Sequence, residues 1–280
     1  MERGFSYREV EDMLERVYRT QAIVLKRSDF FETDRLLTLY TPDRGKISAI
    51  AKGIRKPTSR KGGHLELFIH SKLLVAKGRN LDIITQAETI EPFLPLRGDL
   101  LRISYACYVG ELLDQFAKEN VPNPRLFFLL RDTLRWLGES EDLARTTRFY
   151  ELRLLGLTGY QPQLFHCVRC RAPLEPDECF FFSPMEGGVL CEECSLSPTD
   201  ETQRRGVISL SPPALKVLRF LQTRKYEICQ RVRIRPALHA ELERVMYRYI
   251  TFILERNVKS VGLLNTLRRQ MVTAKRPAAE

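Results

Sequence analysis

Two Cys-x-x-Cys pairs, Cys167–Cys170 and Cys191–Cys194, stand twenty residues apart, and no other feature restricts the fold as tightly. Each pair can turn two thiolates to one side of a tight loop, and two such loops complete a tetrahedral shell of four sulfurs. The segment between them carries Pro173, Pro176, Gly187 and Gly188 around the run Phe180–Phe182, which suits a hairpin that brings the pairs together. A redox Cys-x-x-Cys normally stands alone beside a βαβ unit, and paired disulfides are out of place in a reducing cytosol. The expected ligand is therefore one Zn2+ per chain. Its role is structural, because four thiolates leave no position for an activated water. Cys179, next to the phenylalanine run, is expected to be a buried apolar residue, and Cys107 and Cys229 to be core. His64, His70, His166 and His239 lack ligand spacing.

Upstream, the pattern is that of strands. Five segments rich in Ile, Val, Leu, Thr and Tyr are read at Tyr18–Lys26, Arg35–Thr41, Lys46–Lys52, Leu67–Ala76 and Asp82–Ile90. Pro42-Asp43-Arg44-Gly45 and Lys77-Gly78-Arg79-Asn80 mark the turns. Five short strands without an intervening helical period predict a small barrel, of OB-fold or SH3-like type. Before them, Ser6 and Glu9 form a capping box for a short helix. After Pro92 and Pro95 the period turns helical, with Pro122 and Pro124 as breakers. Helices are predicted around Leu100–Phe116, at Leu126–Leu137 and Leu143–Leu157, from a Ser211-Pro212 start, and at Ala237–Arg256. The class is α+β: a five-stranded barrel, then a helical region carrying the cysteine knuckle. The expected divisions are a helical extension at 1–17, a barrel domain at 18–95, and a helical domain at 96–280 with the insertion at about 165–196.

Charge narrows the function. The chain carries +10 overall, and the excess is localised: residues 44–79 hold +9 and residues 204–280 hold +12, around a middle of −9 at 80–203. Two basic blocks with little interspersed acid favour a polyanionic partner, since cationic side chains that bind phosphates release condensed counterions. The candidate backbone contacts are Lys46, Lys52, Arg55, Lys56, Arg60 and Lys61, with Arg79 at the next turn. Arg231, Arg233 and Arg235 alternate with Val232 and Ile234, which puts three guanidinium groups on one side of an extended stretch. Phe30 and Phe31 suit either base stacking or plugging of the barrel end.

No phosphate-binding Gly-rich loop, nucleophile elbow or zinc-protease motif occurs. Asp29, Glu32 and Asp34 would suit Mg2+, but such a loop cluster more often caps backbone or solvates a turn. The pattern argues for binding over catalysis. A zinc-stabilised scaffold that docks an acidic protein partner is the competing reading. No run approaches the roughly 18 apolar residues of a membrane span, and the acidic N-terminus is unlike a secretory signal, so a cytoplasmic protein is expected.

Several motifs, taken in order, resemble the RecO family of bacterial recombination mediators. They are Ala22–Leu25 followed by Phe31–Thr41, then Gly45 and Ala51–Arg55. Further on come Leu152–Gly159 with Tyr160-Gln161-Pro162, Cys167-Val168-Arg169-Cys170, and Gly187–Cys191. The similarity runs from about Tyr18 to Leu267. It implies an OB-fold followed by a helical domain, and binding to single- and double-stranded DNA with annealing of complementary strands. It also implies exchange of single-strand-binding protein for RecA together with RecR, with RecF as a further partner, in a nucleoid-associated setting.

Overall fold

The computed structural model describes residues 16–175, 179–196, 206–262, 264 and 266–267. The expected capping-box helix and the C-terminal tail lie outside them. Five strands, β1 (Val17–Phe30), β2 (Asp34–Thr41), β3 (Gly45–Ala51), β4 (His70–Ala76) and β5 (Asp82–Glu91), close into a barrel in the order β1-β2-β3-β5-β4. The closure is antiparallel throughout except for a short parallel contact in which Ala49 and Ile50 face Asp82 and Ile83. This is an OB-like barrel, and the parallel closure removes the SH3-like alternative left open by strand spacing. Alternation makes the interior: β3 buries Gly45, Ile47, Ala49 and Ala51 and turns Lys46, Ser48 and Ile50 outward. Leu37, Leu39, Leu73, Val75 and Ile84 complete a dry core.

Two strand limits differ from expectation by more than one residue. β1 runs on to Phe30 because its outer half pairs with β2 down to Phe30 against Asp34, with a register shift between Val24 and Lys26. β4 begins only at His70, because Phe68 takes φ 59° and its N–H donates to the Val24 carbonyl. Residues 67–69 are a turn.

Helices α1 (Leu100–Phe116), α2 (Pro124–Glu139) and α3 (Leu143–Leu157) follow. Pro124 is the first residue of α2 rather than only a breaker, a position where its missing N–H costs nothing. Asp142 caps α3 by accepting from the Arg145 N–H. The chain divides into two compact units, one holding the barrel with Leu113–Gly138 and the other Asp99–Leu112 with the chain from Glu139 onward. In the first unit α2 joins the barrel: Phe127 meets the His70 ring, and Arg135 forks onto Glu91 at 2.8 and 3.0 Å.

The second unit is held by three strands, β6 (Phe180–Ser183), β7 (Gly188–Leu190) and β8 (Ile208–Leu210), in the order β7-β6-β8, and by α4 (Pro212–Thr223) and α5 (Pro236–Leu254). Ser211 caps α4 as the sequence suggested, and Glu241 on α5 accepts from both its N–H and its hydroxyl. Leu242, Val245, Met246 and Tyr249 form the buried stripe of α5. Within the core, Arg148 pairs with Glu151 at 2.7 Å, and the Tyr108 hydroxyl donates to the same carboxylate at 2.6 Å. Breaking such a buried pair by removing one partner costs about 3–5 kcal/mol.

Candidate metal centre and basic surfaces

The knuckle is assembled by backbone pairing. β6 and β7 form the expected hairpin, and the segment before the first cysteine pair lies along it: Gln163 N–H donates to the Gly187 carbonyl, and Val189 N–H to the Gln163 carbonyl, both at 2.9 Å. Val168 N–H donates to the Val189 carbonyl at 3.0 Å. The approach is close enough that a Cβ at Gly188 would lie 2.6 Å from the Gln163 oxygen and from Val168 Cγ1. Only glycine fits there. A tight loop, closed by Arg171 N–H onto the Cys167 carbonyl with Arg171 at φ 62°, then turns Cys167 and Cys170 together.

The result brings Cys167, Cys170, Cys191 and Cys194 into one cluster, with all four sulfurs within 4.8 Å of one another. Cys170 and Cys191 Sγ lie 3.8 Å apart, close to the edge of a tetrahedron whose metal–sulfur arms are about 2.3 Å. The four can hold a metal ion. Burial works against a thiolate at Cys167, but N–H groups of Cys191, Cys170 and Arg169 outweigh it and bring the thiol down to about 6. Burial and the Cys191, Cys170 and Cys167 sulfurs push Cys194 up to about 12. Four thiolates at this spacing would repel one another, and a cation between them would relieve that. Cys179 is a correction: it is exposed rather than buried. It stands at the entrance to β6, before the strand enters the sheet. Cys107 is half-buried and Cys229 buried.

The basic residues of the barrel part company. Lys46 and Lys61 are already engaged: Lys46 Nζ, on the outer face of β3, donates to the Asp114 carbonyl at 2.6 Å and sits 3.4 Å from its carboxylate, and Lys61 Nζ donates to the Ile84 carbonyl at 2.9 Å. Lys52, Lys56 and Arg60 are exposed on the β3–β4 loop and form no ion pair with a described residue. Arg55, also exposed, reaches Asp29 at 3.4 Å. Arg79 is exposed in the β4–β5 turn. The loop is anchored by buried Ile54 and Leu65, and Gly53 takes φ 65° so that its N–H meets Asp34 at 2.7 Å. That hydrogen bond, with Thr33 and the nearby Lys52 and Lys56, holds Asp34 below the usual carboxylate range.

Sequence comparison matches residues 13–93 to the family described as "Recombination protein O N terminal" and residues 97–261 to "Recombination protein O C terminal". The chain is 43% identical over 267 residues to the DNA repair protein RecO of Roseiflexus sp. (strain RS-1), covering 95% of this chain and 91% of that one. It is 36% identical to RecO of Dehalococcoides mccartyi (strain ATCC BAA-2266 / KCTC 15142 / 195), covering 90% and 96%, and 35% to RecO of Symbiobacterium thermophilum, covering 90% and 98%. The chain belongs to the RecO family of DNA repair proteins.

In this RecO chain the second basic block keeps its predicted alternation: Arg231, Arg233 and Arg235 are exposed while Val232 and Ile234 are half-buried. The stretch is a turn leading into extended coil, not a strand, pinned by Arg145 Nη1 donating to the Val232 carbonyl at 2.7 Å. Of the aromatic pair, Phe31 is 78% exposed at φ 54°, edge-on to Phe30. Phe31 does not plug the barrel. Two of the acidic trio have structural tasks, with Asp29 facing Arg35 and Arg55 and Asp34 capping Gly53. No described helix is long and apolar enough to cross a membrane.

Sequence reasoning missed one element of the knuckle. Arg169, between the first two cysteines, grips the Glu186 carboxylate of the hairpin turn at 2.8–3.1 Å and donates to the Cys194 carbonyl at 2.8 Å. Seventeen residues separate Arg169 from Glu186, so no local pairing rule could have found the contact.

Proposed function

We propose that this RecO-family protein binds single- and double-stranded DNA, anneals complementary strands, and assists exchange of single-strand-binding protein for RecA together with RecR, with RecF as a further partner. It does so without catalysing a bond change and with zinc in the four-cysteine site. The observation that carries the reading is the exposed cation set on the β3–β4 loop, Lys52, Lys56 and Arg60, in a chain of a DNA repair family. Arg55 and Arg79 extend it, and Phe31 offers a face on which a base can stack. Lys46 and Lys61 drop out as contacts because their ammonium groups already serve the barrel.

Annealing two polyanions is slowed by their mutual repulsion. A protein that neutralises phosphates on two strands with two cation sets, here the β3–β4 loop and Arg231, Arg233 and Arg235, raises their effective concentration. No bond is made or broken, so no nucleophile or general base is needed. The zinc holds the hairpin and adds folding free energy. The family setting suits a nucleoid-associated, cytoplasmic location. The test is a titration of labelled single-stranded DNA at several salt concentrations, with annealing followed in the same samples. Binding that weakens linearly on a log–log salt plot is expected, and salt-independent binding would overturn the reading in favour of a protein-docking scaffold.

A further inference from the structure

The structure assigns Arg169 and Glu186 as a clamp that positions the four cysteines for their metal, an inference that rests on the zinc reading above. The knuckle is made of three pieces of chain: the loop Cys167–Cys170, the β6–β7 hairpin turn, and the short helix Glu192–Leu196 that carries Cys194. Backbone pairing joins the first loop to the hairpin, with Val168 N–H on the Val189 carbonyl at 3.0 Å. Arg169 joins all three. Its Nε lies 2.9 and 3.1 Å from the two Glu186 oxygens, its Nη2 2.8 Å from Oε1, and its Nη1 donates to the Cys194 carbonyl at 2.8 Å. Glu186 is itself held, accepting from Ser183 Oγ while its N–H donates back to that oxygen, both at 3.3 Å.

The arrangement is a fork-on-carboxylate pair with a third donor left for a backbone carbonyl, which only a planar guanidinium supplies. It ties the first cysteine pair to the second independently of the ion, so the ligands are brought together before metal arrives. Partners beyond the ligands that fix ligand orientation are worth about 10- to 100-fold in metal affinity. Because Glu186 cancels the charge of Arg169, the effect comes from geometry and not from a positive field at the thiolates.

The test uses the full-length zinc-loaded protein. Zinc content is measured first, then zinc affinity and release rate against a chromogenic chelator, for wild type, Arg169→Ala, Arg169→Lys and Glu186→Gln. The cobalt-substituted proteins report the ligand set through their thiolate charge-transfer bands. The expected result is wild-type zinc near one per chain and a loss of affinity of about 10- to 100-fold in Arg169→Ala. Arg169→Lys should follow the alanine variant, since an ammonium cannot hold both partners, while saturated cobalt spectra stay those of a four-sulfur site. Wild-type protein without zinc would overturn the zinc reading and the clamp with it. Zinc-loaded wild type with unchanged release in the variants would overturn the clamp alone. A lysine variant that behaves as wild type would show that charge, not the fork, is what counts, and would also overturn it. If Arg169→Ala fails to fold, Glu186→Gln decides, because it leaves the arginine in place and removes half of its anchor.

Discussion

The cysteine knuckle and the basic stretch Arg44–Arg79 are both dense in one chemistry, yet the structure treats them in opposite ways. All four knuckle cysteines converge on one point. The cations of the stretch diverge: Lys46 and Lys61 bond carbonyls, Lys52, Lys56 and Arg60 stand in solvent, and Arg55 shares a carboxylate. Metal ligation is a local demand, met by a tight loop, a hairpin and a short helix, so spacing in the chain foretells it. Phosphate binding demands exposure, and exposure is settled by which face of a strand or loop the rest of the barrel covers. The same residue type in the same stretch thus carries quite different information.

The sharpest way to break this contrast is Cys167→Ser or Cys191→Ser. Each is expected to empty the metal site and to open the β6–β7 hairpin, read as loss of metal by elemental analysis and of hydrogen-exchange protection around Phe180–Leu190, because structural zinc supplies folding free energy outright. Retained metal and protection would show the knuckle to be self-supporting.

A smaller effect is expected on the basic side. Lys52→Ala with Lys56→Ala and Arg60→Ala should flatten the salt dependence of single-strand binding by about 2 units, at about 0.7 per lost contact, and equally for every sequence. Sequence-selective loss would place base-reading groups on the loop instead. Arg231→Ala with Arg233→Ala and Arg235→Ala should spare part of that affinity and lower the annealing rate further, measured by strand-exchange fluorescence. Equal factors for binding and annealing would merge the two cation sets into one DNA path.

Lys46→Ala should do the reverse of the loop triple. Its loss removes a charged hydrogen bond worth about 1.5–3 kcal/mol, so denaturant unfolding of the barrel should show it while the salt slope stays unchanged. An altered slope would return Lys46 to the DNA interface. The smallest effect concerns Asp34, whose hydrogen bond from Gly53 depresses its pKa. Its contribution is whole above the ordinary carboxylate value and is lost as pH falls through the lowered one. Asp34→Asn should therefore blunt the acid limb of the stability curve, seen by thermal melts between neutral pH and about pH 2.

Much of the molecule was legible in its residues. The Cys-x-x-Cys pairs, the alternation of β3, the Ser211-Pro212 helix start and the stripe of α5 all express periods or spacings of a few residues, set by backbone geometry that does not depend on distant chain. The end of β1 at Phe30, the turn at Phe68, the exposure of Cys179 and the Arg169–Glu186 clamp were not legible. The Phe68 turn and the clamp depend on partners far along the sequence, Val24 and Glu186, and only packing decides whether those partners arrive. The residues alone determined that this chain would build a barrel, a helical region and a four-sulfur site. Tertiary structure decided which lysines face the solvent, because an ammonium group goes to whichever unsatisfied carbonyl or carboxylate the folded barrel leaves within its reach, and remains in water where there is none.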